Sequence, residues 1–235
     1  MDNTELIWIC SVDIGKKNFC FYVEEINLKI FPNIKNIPKN NRYNENGTPT
    51  IKMQNILDKV CGNGKTILHK NADLTKNCKP GKYLDPETFY NMNDLLDTYG
   101  EYWDKCCIFI IEQQMRKNYM AMKLGQHCFS YFSIRYGRFK SVIEFPSYYK
   151  TQILGAEKIK GKQYKNGKFK WKTIDKTARK KWSVVKATDI LTKRGEFHTI
   201  ENIKTKVKKD DLADTLSQLQ AFKYLYYIDD MKTFT

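Results

Sequence analysis

The chain has no stretch that approaches the roughly 18 uninterrupted apolar residues of a membrane-crossing helix, and MDNTELIWIC carries no basic run ahead of its short apolar segment. Neither a membrane-spanning nor a secreted protein is indicated, and a soluble intracellular one is expected. No CxxC pair occurs. The 7 cysteines are odd in number, and Cys10, Cys106 and Cys107 lie inside apolar runs expected to be buried strands, which fits free thiols in a reducing compartment. A zinc site built from Cys61, His69 and Cys78 has no standard ligand spacing to support it. Proline is sparse, and five of the 6 (32, 38, 49, 80, 86) fall in one segment. Acidic residues are also scarce: 26 Asp and Glu stand against 41 Lys and Arg, a net charge of +15. A field of that size attracts polyanions, with nucleic acid the first candidate partner and anionic membrane a weaker one.

Against that deficit, four acids stand out: Asp13 in SVDIGKKN, Glu112 at the end of CIFIIEQ, and Asp211 and Asp214 in KKDDLAD. The first two each end an apolar run, Leu6 to Val12 and Cys106 to Ile111, with the length and composition of a strand buried on both faces. Asp211 and Asp214 are spaced i, i+3, which stacks them on one face of a helix. Asp210 and Asp214 at i, i+4 also share a face, so Asp210 and Asp211 remain alternatives at that position. Each acid has a plainer reading, as a turn residue before Gly15, a strand terminus, or an N-terminal helix cap. If they converge, two carboxylates about 5 Å apart repel by roughly 3 kcal/mol at an effective dielectric near 20, so the group calls for a cation. Ligation by oxygen alone suits Mg²⁺ or Mn²⁺.

Along the chain, the opening reads as strand to Asp13, turn IGKKN, strand Phe19 to Glu24, and a third short strand at Leu28 to Phe31. The Pro- and Asn-rich residues 35–85 read as an irregular insertion in a single domain spanning 1–235. Asp85-Pro86-Glu87 starts a helix running to about Trp103, Asn118 to Tyr136 forms another, and Ser141 to Phe145 forms a strand stopped by Pro146. Residues 157–172 read as a basic loop, followed by a basic helix over 176–194. A last helix over 210–228 carries Leu212, Leu216 and Leu219 as an apolar stripe.

Three strands, helix, strand, helix, strand and terminal helices is the order of the ribonuclease H-like fold. This is an α/β fold whose five-stranded mixed sheet, three antiparallel strands then two parallel, is flanked by helices. On SVDIGKKN, IIEQQM, EFPSYYKTQILG, RKKWSVVKATDIL and KKDDLADTL, the chain resembles the RuvC-like Holliday junction resolvases of the poxvirus type, a branch shared by large cytoplasmic DNA viruses. The resemblance implies that Asp13, Glu112, Asp211 and Asp214 hold two Mg²⁺ (or Mn²⁺) ions and that Lys150 assists catalysis. A second basic residue falls on Lys180 or Lys181, with Lys181 assigned the catalytic part. It further implies a homodimer that cuts branched DNA at four-way junctions in the host cytoplasm, with no small-molecule cofactor. The DIG tripeptide also occurs in sugar-kinase and actin-like ATPases, but the second phosphate-binding Gly motif those require is missing.

Residues 150–194 hold 15 Lys and Arg against 3 acids, so 12 of the net +15 lies in this stretch. Most such lysines on any protein belong to a solvated face. As a set they are expected to follow phosphates, with Lys150, Lys158, Lys160, Arg179, Lys180 and Lys181 as the DNA-binding candidates. The alternatives are an RNA-processing nuclease or strand-transfer enzyme on the same fold, or a non-catalytic nucleic-acid-binding protein whose acids are caps and turns.

Overall fold

The structure, a computed structural model, describes residues 5–81, 83–164, 166–167, 169–205 and 208–231. In chain order it runs β1 (Leu6–Asp13), β2 (Phe19–Asn27), α1 (Ile51–Gly62), β3 (Lys65–Ala72), α2 (Pro86–Thr98), α3 (Gly100–Lys105), β4 (Cys106–Gln113) and α4 (Tyr119–Tyr136). Then come β5 (Ser141–Pro146), α5 (Tyr148–Ile153), β6 (Ile159–Gln163), β7 (Phe169–Lys172), α6 (Lys176–Lys193), α7 (Phe197–Thr205) and α8 (Lys209–Lys223). The main sheet has the order β3-β2-β1-β4-β5. Its first three strands pair antiparallel, whereas β4 pairs parallel with both β1 and β5. This is the five-stranded ribonuclease H-like sheet that the order of elements predicts.

Strands β1 and β4 sit at the centre, which is why both read as near-continuous apolar runs. Successive side chains alternate between two cores. Ile9, Tyr22 and Ile110 face the layer of α1, α6, α7 and α8. Cys10, Val12, Phe21 and Phe109 face α2, α3 and α4. Helices α2, α4 and α6 start on side-chain caps: Asp85 accepts from Glu87 N at 2.9 Å, Asn118 from Ala121 N at 3.3 Å, and Asp175 from Ala178 N at 2.8 Å. Leu212, Leu216 and Leu219 of α8 are fully buried, and burying each contributes about 1.5–3 kcal/mol. Gln218 fixes the same helix to the strand ends, its Nε2 donating to Ser11 Oγ at 3.1 Å and to the Val12 carbonyl at 3.3 Å.

Three sequence expectations are corrected. The third strand is not Leu28 to Phe31, which forms a 3₁₀ turn over Leu28–Asn33. Asn27 caps that turn by accepting from Lys29 N, Pro32 has no N–H to give a ladder, and Phe31 stacks on Tyr227 with ring centroids 4.5 Å apart. The strand is instead β3, inside the segment expected to be irregular. Residues 35–85 also contain α1, whose Thr50 cap accepts from Met53 N at 3.4 Å, so much of this segment is regular structure. The expected basic loop is a hairpin, because IKGKQ and FKWK pair as β6 and β7. Lys165 and Lys168 of that stretch lie outside the described residues.

Candidate active site

The parallel register pairs Val12 with Ile111, so Asp13 and Glu112 leave adjacent strands side by side. Their carboxyls lie within hydrogen-bond reach of each other. Helix α5 follows directly after β5 and brings Lys150 over them. Its Nζ donates to Glu112 Oε1 at 2.8 Å and lies 3.3 Å from Asp214 Oδ2, which α8 supplies. Ser183 on α6 donates to Asp214 Oδ1 at 2.5 Å, and Gln114 Nε2 donates to Glu112 Oε2 at 3.1 Å. Four separate elements thus deliver Asp13, Glu112, Lys150 and Asp214 to one point.

The electrostatics are unbalanced. Loss of water around Asp13, reinforced by the charge of Glu112, raises its pKa well above the ordinary value. Burial acts the same way on Glu112, but Lys150 and the hydrogen bonds from Asp13 and Gln114 outweigh it and leave that pKa lowered. Burial would lower the pKa of Lys150, yet the charges of Glu112, Asp214 and Asp13 raise it, so it is a fixed ammonium. Ionised together, the three carboxyls would outnumber this one ammonium by two charges, which is why Asp13 resists ionisation.

Asp211 sits one turn from Asp214. Its pKa is raised to about 6 by partial burial and by the charge of Asp210. Asp210 is not the helix cap: α8 begins at Lys209 behind Lys208 with no side-chain cap, and Asp210 pairs with Lys180. That pairing leaves Asp211, hydrogen-bonded to Asp210, as the member of the two with no lysine of its own among the described residues. The choice between neighbouring lysines also resolves against the expectation. Lys180 faces the acids, whereas Lys181 points to solvent because adjacent helical residues diverge by about 100°.

A cavity of about 150 Å³ opens above the acids, lined by Glu112, Ser147, Lys150, Lys176, Lys180 and Asp214 among others. Arg179 also lines it, but Lys158 and Lys160 lie outside it on the hairpin side. Sequence reasoning missed Gln114, Ser183 and Ser147. Gln114 carried a weak signal, since it lies two residues beyond a strand-end acid. The two serines carried none.

The oxygen-only donor set and the shortage of positive charge around it fit divalent cations. As the side chains stand, no group of three or more His, Cys, Asp or Glu among the described residues is arranged around one ion. The Lys150 ammonium instead occupies one oxygen each of Glu112 and Asp214. Cys61, His69 and Cys78 are likewise not gathered around one ion among the described residues, and His69 Nε2 is engaged 2.9 Å from the Leu212 carbonyl. No helix among the described residues is long and apolar enough to cross a membrane.

A mixed sheet in this order, flanked by helices on both faces, is the ribonuclease H-like fold. The chain matches "Crystal Structure of the Yeast Mitochondrial Holliday Junction Resolvase, Ydc2" with a TM-score of 0.51 and 12% identity, covering 97% of this chain and 86% of that one. It matches "T. thermophilus RuvC in complex with Holliday junction substrate" with a TM-score of 0.50 and 12% identity, covering 94% and 95%. No protein-family model matches the chain. In sequence it is 35% identical to Uncharacterized protein 170L of Invertebrate iridescent virus 6, over 96% of this chain and 92% of that protein. The chain belongs to the family of that iridescent virus protein.

Proposed function

We propose that the protein is a divalent-metal-dependent endonuclease that resolves four-way DNA junctions by paired, symmetric nicks during viral recombination or concatemer processing. The observation that carries this reading is the convergence of Asp13, Glu112, Asp214 and the Lys150 ammonium at the strand ends of this fold, beneath a cavity rimmed by Lys176, Arg179 and Lys180. Asp13, Glu112, Asp211 and Asp214 are the proposed ligands of two Mg²⁺ or Mn²⁺ ions. Such ions, when bound, supply an activated water and neutralise charge on the leaving oxygen.

The chain's own residues do the rest. Gln114 and Ser183 orient Glu112 and Asp214 through hydrogen bonds. Lys150, a cation released from Glu112 and Asp214 once other cations take their oxygens, is placed to stabilise the phosphorane charge or to protonate the departing 3′ oxygen. Lys176 and Arg179 meet the flanking phosphates, and Lys180 adds what charge its pairing with Asp210 leaves it. Two opposed nicks require two sites related by a two-fold axis, so the working form is a homodimer. The 7 free cysteines fit action in a reducing compartment such as the host cytoplasm.

The test is cleavage of a synthetic four-way junction with Mg²⁺ beside duplex and single-stranded controls. Nicks placed symmetrically on the junction alone support the proposal. Equal cutting of all three substrates, or of an RNA-containing duplex instead, would overturn the junction reading.

A further inference from the structure

Beside the cavity over the acids lies a second one of about 290 Å³, and the two share Thr151 and Arg179 in their walls. That volume is at the lower edge of the roughly 300–1,000 Å³ of small-molecule clefts. One wall is apolar, from Tyr43, Ile153, Ala156 and Ile174; the polar side chains are Asn44, Gln152 and Thr173, with Lys158 and Arg179 as the cations. Among the described residues neither Lys158 nor Arg179 has a carboxylate partner, unlike Lys180 with Asp210.

The wall is built rather than loose. The turn carrying Asn44 closes on itself, Asn44 N donating to the Thr48 carbonyl at 2.8 Å and Gly47 N to the Asn44 carbonyl at 2.9 Å. It is tied to the base of the hairpin by Lys158 N donating to the Asn46 carbonyl at 2.7 Å and by Asn46 Nδ2 donating to Glu157 Oε1 at 3.1 Å. Gly47 has φ +84°, and a Cβ there would stand 3.1 Å from Lys158 Cε. The lysine stem therefore lies directly on the glycine, which limits where its ammonium can go. Tyr43 OH donates to the Ile153 carbonyl at 2.8 Å and fixes the ring in the wall.

We infer that this second cavity receives the unstacked base of a nucleotide adjoining the scissile phosphate, with Arg179 and Lys158 on its flanking phosphates. The inference rests on the nuclease reading for the identity of the strand. An unstacked base offers a flat apolar face, hydrogen-bonding edges and an anionic backbone, and the cavity offers an apolar wall, amide and hydroxyl groups, and two unpaired cations. Bases at a junction are the ones most cheaply unstacked. The segment 35–85, expected to be an insertion, thereby gains a part in selecting where the DNA is cut.

The experiment uses four-way junctions carrying 2-aminopurine, or an abasic site, at successive positions on either side of the cut. The fluorescent junctions are bound to the Asp13→Asn protein, and the abasic ones are offered to the unaltered protein. One position should brighten severalfold on binding, and the abasic site there should slow cleavage roughly tenfold with overall binding little changed. Thr173→Trp, at an exposed position on the cavity wall, should fill the space and abolish the brightening while its melting temperature stays that of the parent. Junctions that are cut but show neither effect at any position overturn the inference and leave the nuclease reading standing. Junctions that brighten at one position, in a manner removed by Thr173→Trp, yet are never cut support the cavity and sink the nuclease. Neither brightening nor cutting sinks both.

Discussion

Two groups of buried charge sit along the same pair of strands and are built in opposite ways. At the end of β1, opposite Cys20, Asp13 shares a crowded space with Glu112 and Asp214 and has one ammonium among them. Further along β2, opposite Ile9, Glu24 is fully buried and fully satisfied. It accepts from Arg194 at 2.9 Å, Lys223 at 2.6 Å, Gln220 at 2.7 Å and Tyr22 OH at 2.7 Å. Glu196, 3.6 Å from Arg194, makes the charges even. The pKa of Asp13 is raised, whereas that of Glu24 falls to about 2, because its cations and hydrogen bonds overcome burial. Burial alone therefore does not mark a working carboxylate. What separates the two groups is the unfilled demand for positive charge around Asp13, beside a cavity that Glu112 and Asp214 line.

The same change, carboxylate to amide, should have opposite consequences at the two places. Asp13→Asn should lower junction nicking by about 10³-fold, roughly 4 kcal/mol of transition-state stabilisation. It should also raise the melting temperature at neutral pH, because it removes a buried charge that the fold holds at a disadvantage. Calorimetry beside a cleavage time course reads both. A parental cutting rate would remove Asp13 from the site, and a fall in melting temperature would mean its charge is already compensated.

Glu24→Gln should leave nicking per folded molecule unchanged and destabilise the fold by roughly 3 kcal/mol, since Arg194 and Lys223 lose their counter-charge. The pH dependence follows from the lowered pKa. Between the ordinary value of 4.5 and about 2, the unfolded chain takes up the proton before the folded one does. The stabilisation from Glu24 is therefore complete above pH 4.5 and is lost as pH falls towards 2. The gap in denaturation midpoint between parent and Glu24→Gln should close over that window, and a gap constant from pH 6 to pH 3 would contradict the assignment.

Lys150→Met should slow cleavage roughly 10²-fold while changing junction affinity little, because the ammonium is directed at Glu112 and Asp214 and not at solvent. A loss of binding equal to the loss of rate would make Lys150 a phosphate contact instead.

The parts of these two groups that sequence could reveal follow from burial geometry. Central parallel strands are apolar on both faces, so β1 and β4 announce themselves, and an acid ending each run stands out. The edge strand β3, KTILHKNA, is masked because one flank is open and lysines occupy it. It also follows an Asn- and Pro-rich stretch that suggests irregular chain. The Glu24 group had a readable half: Tyr22, Glu24 and Ile26 share one face of a strand by their parity. Its other half, Arg194 and Lys223, comes from helices far along the chain, and no local pattern pairs them. Ser183 became visible only when α6 was set against Asp214, whereas Gln114 had only its place just beyond a strand-end acid to mark it.

The finest distinction lies between neighbours. Lys180 and Lys181 are adjacent on α6, yet only Lys180 turns towards the acids, where it pairs with Asp210. Its charge is thus partly spent within the protein before DNA arrives, whereas Lys181 is exposed and carries its full charge to the surface. Lys181→Ala should therefore lower the salt dependence of junction binding by about 0.9 in slope if it meets one phosphate, with the cleavage rate of the bound complex unchanged. Lys180→Ala should change that slope less and the bound cleavage rate more, about threefold to fivefold, because freeing Asp210 adds negative charge beside Asp211 and Asp214. Binding titrations at several salt concentrations, paired with single-turnover cleavage, separate the two. If the two variants behave alike, the orientation of α6 over the acids is wrong, and with it the contrast between a lysine spent inside the site and one offered to DNA.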